Sequence, residues 1–402
     1  MFLIPSHQSR PSDDPIFALN KEANEKKAAG QSVVNATLGA LLDDNGGLVI
    51  LPSTTEALRS VSPADWATYA PIAGNPEFVA AVRSDLLQTV PELFQASVAV
   101  ATPGGSGALR HAIANFLEPG QSLLTTSYFW GPYQTLVDEA DRKLESFPMF
   151  NAKGALDVEA LARAASSQLV SQGRVLLFIN DPCQNPTGYS MTRAEWDAVV
   201  ETLLSLSSKG PITLLVDIAY AAYGSGTGRE FLPALLPLLG KVGLLFAWSA
   251  SKTFTHYGLR VGALVACVAD AKERVATEAA LSYSSRGTWS NCNRGGLVAI
   301  TKLLTVPALR EACDKERAGV RELLLDRVKE FNLHATKAGL RYPRYEGGFF
   351  VTTFPTESAT EKAKRMRDKG VYVVPTQGAL RVGICAAKKA DIARLVDALA
   401  TA

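Results

Sequence analysis

No stretch of this chain supplies the roughly 20 consecutive apolar residues that a membrane-spanning helix needs. The apolar start of "MFLIPSHQSR" is too short for a secretory leader. Neither charge is in excess: 41 Lys and Arg stand against 39 Asp and Glu, with no basic block or aromatic-basic stripe to follow a phosphate backbone. Nucleic acid and membrane are therefore set aside as partners. The five cysteines, Cys183, Cys267, Cys292, Cys313 and Cys385, include no CxxC pair, and the four histidines are equally dispersed. No metal site is expected, and the thiol usage suits a reducing, cytoplasmic compartment. Repeats and low-complexity linkers are missing as well. What remains is a chain of 402 residues, long enough for one large domain and a smaller companion.

From about Ser97 to Val265, short apolar runs alternate with helix-length stretches: "SVAVAT", "SLLTTS", "RVLLFIN", "ITLLVDIAY", "GLLFAWS" and "VGALVACV". Such continuous apolar strands predict an α/β fold with a mostly parallel sheet covered by helices on both faces. Ligands of such sheets gather at the carboxyl ends of the strands. The segments that follow these runs, "PGGSGALR", "YFWGPY", "NDPCQNPTG", "DIAY" and "SASK", are polar, glycine-bearing or aromatic. From about Thr301 the pattern changes to a long charged amphipathic stretch, followed by "GGFFVTTF", "VYVVP", "LRVGIC" and a last helix. The expected division is a large domain over residues 40–300 and a small α+β domain formed by residues 1–39 with 301–402.

Each candidate site has a plain structural reading beside a chemical one. "TPGGSGALRHAI" opens a helix with glycines and a serine, and unpaired N–H groups there suit a phosphate; strand-to-helix turns of this kind are also common without one. Asp217 ends an apolar strand, where a carboxylate needs a proton or a cation, so a helix cap, a salt bridge and a partner for a protonated ring nitrogen all fit. Asn185 precedes Pro186, which fixes an extended approach and presents an amide, or simply makes a turn. Lys252 follows the apolar "VGLLFAW". Desolvation can make such a lysine an imine-forming amine, with Ser249 and Arg260 at hand as anion donors.

Taken in order and spacing, "GGSGAL", "NPTG", "DIAY" and "SASKTF…RVG" resemble the class I aminotransferases of fold type I, and more narrowly the aspartate and aromatic amino-acid branch. The resemblance runs from about "TLGALLDDNG" to "LRVGIC" and implies pyridoxal 5′-phosphate (PLP) as cofactor. It implies that Lys252 binds PLP covalently and, once released, moves the α-proton as a general base. Asp217 would keep the pyridine nitrogen protonated, and Asn185 and Tyr220 would bond the ring's phenolate oxygen. Gly105, Ser106, Ser249 and Arg260, with Ser251 in addition, would hold the phosphate. Trp130 would stack on the ring, and Tyr69 would reach the phosphate of a neighbouring subunit. For the substrate, Arg381 would clamp the α-carboxylate beside the backbone of Gly39. Arg286, from the partner subunit, would pair with a side-chain carboxylate. A homodimer with shared sites is therefore expected.

The chain departs from that family in Ser106, where threonine is frequent, in Gln184, where histidine is frequent, and in "SNCNRGG" and "FWGPY". The expected reaction is transfer of an amino group from aspartate or an aromatic amino acid to a 2-oxo acid such as 2-oxoglutarate. The alternatives are a PLP lyase or decarboxylase on the same fold and, from another class, a non-catalytic ligand sensor.

Overall fold

The computed structural model describes residues 2–11 and 15–402. In chain order its strands are β1 (Val34–Asn35), β2 (Ser97–Thr102), β3 (Ser122–Thr126), β4 (Lys143–Phe147), β5 (Val175–Asn180), β6 (Ile212–Asp217), β7 (Gly243–Ser249) and β8 (Gly262–Cys267). β9 (Phe350–Thr353), β10 (Val371–Tyr372), β11 (Val374–Thr376) and β12 (Ala379–Gly383) follow. The chain forms two compact units: Val49–Leu325 with Arg344–Gly348, and Met1–Leu48 with Asp326–Pro343 and Phe349–Ala402. The later boundary falls inside the helix Pro307–Lys337.

In the larger unit, seven strands form one sheet in the order β2-β8-β7-β6-β5-β3-β4. The pairings among β3 to β7 are parallel, while β8 runs antiparallel to both β7 and β2. Every residue of β5 is buried, because alternate side chains leave opposite faces and both faces are covered. Leu177, Leu214 and Phe246 pack on one side with Trp196, Val199 and Leu203. Leu176, Leu215 and Leu245 pack on the other with Ala108, Leu109 and Ile113. The helix Arg193–Leu206 shows how such a cover is specified: Thr192 and Glu195 form a reciprocal capping box, and Trp196, Val199, Val200 and Leu203 line its buried stripe. β4 is the strand that the apolar pattern missed. It lies at the sheet edge, and most of its "KLESF" side chains reach solvent, so no continuous apolar run marks it.

The smaller unit has the three-stranded antiparallel sheet β11-β12-β9 and a parallel β1-β10 pair. Arg327, fully buried, ties it together by donating to the carbonyls of Cys385 and Leu42 and to Asp44. A buried guanidinium is tolerated because both of its terminal nitrogens find acceptors.

Candidate active site

Sheet register assembles the first part of the site. Asn180, the last residue of β5, stands opposite Asp217, the last residue of β6, which stands opposite Ala247 of β7. The Asn180 amide donates to the Asp217 carbonyl at 2.7 Å, and its oxygen accepts the backbone N–H of Asn185 at 2.7 Å. The "NPTG" turn is thus fastened to the end of the strand that carries the carboxylate. Asn185 Nδ2 in turn donates to the Tyr220 hydroxyl at 3.3 Å. Among the described residues its buried Oδ1 has no hydrogen-bond partner. Asp217 is only 6 % exposed. Its Oδ2 accepts the Tyr133 hydroxyl at 2.8 Å, and its Oδ1 accepts the Ala219 N–H at 3.2 Å. Burial pushes this carboxyl up to about 6, against the opposing pull of those two donors and of the Lys252 charge.

The antiparallel return from β7 to β8 builds the second part. Ser249 of β7 pairs with Gly262 of β8, which also pairs with Thr102 of β2. Between them lie the short helix Ala250–Thr253, carrying Lys252, and then Arg260 in the left-handed region at φ 55°. Lys252 Nζ lies 4.6 Å from the ring centre of Tyr257 and 5.9 Å from that of Tyr220. Arg260 donates to the Ser251 hydroxyl at 3.3 Å and to the carbonyls of Tyr257 and Pro103. Among the described residues no carboxylate forms an ion pair with it. Gly104, at φ 72°, begins the helix Gly104–Phe116 directly against this guanidinium: a Cβ there would lie 2.6 Å from Arg260 Nη2. Only glycine meets both demands.

Lys252, Asp217, Tyr220, Asn185, Trp130, Gly105, Ser106, Ser249, Ser251 and Arg260 all line one cavity of about 190 Å³. Asn180 and Tyr257 line it too, and Tyr133 holds Asp217 from behind. Sequence reading missed these three. Tyr133 is the third residue after Trp130 in the "FWGPY" that differs from the family's pattern, and that departure was the available signal.

Four expected site residues lie elsewhere. Tyr69 is 83 % exposed, and Arg286, also exposed, donates to the Ser290 hydroxyl at 2.6 Å; neither lines the cavity. Gly39 and Arg381 belong to the smaller unit, where Phe350 joins them. The Arg381 guanidinium stacks 4.5 Å from the Phe350 ring centre and donates to the Thr37 carbonyl at 2.6 Å. A Cβ on Gly39 would approach that same ring to 2.8 Å.

Residues 31–399 match the family described as aminotransferase class I and II. The chain belongs to this family. The aminotransferase is 27 % identical to an aromatic-amino-acid aminotransferase of Pseudomonas aeruginosa over 98 % of this chain and 97 % of that one. It is 26 % identical to the aspartate aminotransferase of the same organism over 96 % of each. Among solved structures, an aminotransferase from Anaerococcus prevotii superposes with a TM-score of 0.94 at 31 % identity, covering 100 % of this chain and 98 % of that one.

An aminotransferase moves an amino group between an amino acid and a 2-oxo acid, and the cofactor here is PLP. The cavity fits that group. Asn185 Nδ2 carries two N–H groups and gives one to Tyr220, which leaves a donor for a ring oxygen. Asp217 is a buried carboxylate best matched by a cation, and Arg260 with the start of the helix Gly104–Phe116 offers an anion cradle.

Proposed function

We propose that Lys252 is the amine to which PLP is attached and the base that moves the substrate's α-proton. Bound PLP supplies an aldehyde that condenses with amines and a ring that takes up the electron pair left on Cα. The surrounding residues do the rest. Asp217 holds a proton on the ring nitrogen, and Asn185 and Tyr220 bond the ring oxygen. Trp130 packs on the ring face. Gly105, Ser106, Ser249 and Arg260, with Ser251 adjoining, anchor the phosphate. Arg381 binds the substrate α-carboxylate as a planar fork, with the backbone of Gly39 beside it. The observation that carries this reading is the convergence of Lys252 and Asp217 on one cavity with an arginine that has no carboxylate partner among the described residues.

The amino donor is aspartate or an aromatic amino acid, and the acceptor is a 2-oxo acid such as 2-oxoglutarate. Arg286 serves a donor's side-chain carboxylate and Tyr69 serves the phosphate, each across the interface of a homodimer; their exposure and their absence from the cavity lining support that arrangement. A cytoplasmic setting suits five free, buried cysteines. The test mixes the PLP form with each amino acid in turn and follows the cofactor's absorbance. Conversion by aspartate, phenylalanine or tyrosine, with stoichiometric 2-oxo acid, is expected. Release of carbon dioxide or elimination products instead would reject transamination.

A further inference from the structure

We propose that Tyr133 is a positioning residue for the cofactor: by donating its hydroxyl hydrogen to Asp217 it keeps the shared proton on the pyridine nitrogen rather than on the carboxylate. The proposal rests on the assignment of Asp217 to the ring nitrogen and adds the residue that makes that assignment effective.

Three observations carry it. The bond is short, 2.8 Å from the Tyr133 hydroxyl to Asp217 Oδ2, and the tyrosine is 1 % exposed, so water does not compete. Its ring is held on three sides. Phe178 and Trp130 meet it edge-on at 5.4 and 5.9 Å, and Phe129 stacks at 6.4 Å. The hydroxyl is therefore aimed by packing, and the residue that aims it, Trp130, is itself a wall of the cavity. Finally, the phenol keeps its proton here and has it to donate to the carboxylate. Burial and the neighbouring Asp217 charge push its ionisation well above the ordinary tyrosine value.

The consequence is an acid–base one. In a pair formed by a ring N–H and a carboxylate, the proton resides with the more basic partner. Burial alone makes Asp217 more basic, to the range where a carboxylic acid competes with a pyridine for a proton. A hydrogen bond to the carboxylate stabilises its charged form and lowers that basicity. Tyr133 thus tips the balance toward a protonated ring, the form that accepts electrons from Cα. Among the described residues the other charge acting on Asp217 is that of Lys252, in the same direction on the carboxylate, while Tyr220 acts on Tyr133.

The test uses PLP labelled with ¹⁵N in the ring, loaded into the wild-type enzyme, Tyr133→Phe, Asp217→Asn and an enzyme carrying 3-fluorotyrosine at position 133. The wild type is expected to give the nitrogen shift of a protonated ring and Asp217→Asn that of a neutral one. Tyr133→Phe, which keeps the packing and removes only the donor, should fall between them. The fluorotyrosine, a stronger donor of nearly the same shape, should move opposite to phenylalanine. The half-reaction rate of Tyr133→Phe should drop about tenfold with little change in the donor's apparent KM. A shift in Tyr133→Phe equal to wild type, with Asp217→Asn displaced, overturns the role of Tyr133 and leaves Asp217 in place. No displacement in Asp217→Asn, or a neutral ring in wild type, overturns the Asp217 assignment as well. Should Tyr133→Phe fold poorly, an unmoved signal in the fluorotyrosine enzyme decides against the proposal by itself.

Discussion

At the amino ends of β5, β6 and β7, a cavity of about 410 Å³ is bounded by Val175, Ile212 and Gly243, with Arg174, Lys241, Asp270 and Glu273 among its lining. At the carboxyl ends of the same strands, the cavity that holds Lys252 and Asp217 measures about 190 Å³. The larger space has charges of both signs among mostly apolar walls. The smaller has a carboxylate, an amine and a guanidinium, each fixed by a strand end or by the turn just after it. What separates them is strand polarity. In a parallel sheet the turns that leave the strands together open helix starts and present backbone donors, whereas the arriving ends do not.

Lys252→Ala should break that comparison most severely. Turnover is expected to fall on the order of 10⁴-fold, and the absorbance of lysine-bound cofactor should vanish; full turnover in this variant would detach the chemistry from the carboxyl-end cavity. Asp217→Asn should cost on the order of 10³-fold in the half-reaction. The same variant has a second signature in the cofactor-free protein. Burial pushes the folded Asp217 carboxyl up to about 6, above the ordinary carboxylate value near 3.8, so its proton favours the folded state, and that contribution is lost as pH rises through the interval between them. Relative to wild type, Asp217→Asn should gain about 3 kcal/mol at pH 7 and less than about 1 kcal/mol at pH 4. Urea unfolding at the two pH values measures this, and a gain that ignores pH would refute it.

Arg286→Ala should sharpen the comparison by reaching beyond both cavities. A loss on the order of 10²-fold is expected in kcat/KM for aspartate, with only a few-fold loss for phenylalanine. Equal losses would remove Arg286 from carboxylate recognition. At the amino-end cavity, Lys241→Ala and Glu273→Ala should change turnover by less than about twofold, as exposed substitutions remote from the chemistry do. A larger effect would show that volume, after all, matters there.

Most of this site was legible because strand ends are local events. "LLVDIAY" and "GLLFAWS" reveal where an apolar run stops and a functional group begins, and the structure places Asp217 and Ser249 at those stops. Asn180 was less visible: its importance comes from standing opposite Asp217 in the register of β5 and β6, and periodicity along one strand carries no register with the next. Tyr133 lies 84 residues before the carboxylate that it holds, and nothing in its own segment names that partner. The edge strand β4 escaped for a different reason, since a solvated edge does not require the apolar run by which a buried strand is recognised. The reversal of β8 was equally silent, because a buried antiparallel strand between two neighbours reads the same as a parallel one.

That reversal has a bearing on how the cofactor stays put. A parallel β8 would need a crossover back to the opposite end of the sheet; the antiparallel one lets the chain turn round at the same edge, so Lys252 and Arg260 belong to a single short return. Under the proposed roles, the residue that would bond the cofactor and the one that would hold its phosphate share one tether, so release of the first would leave the second in place.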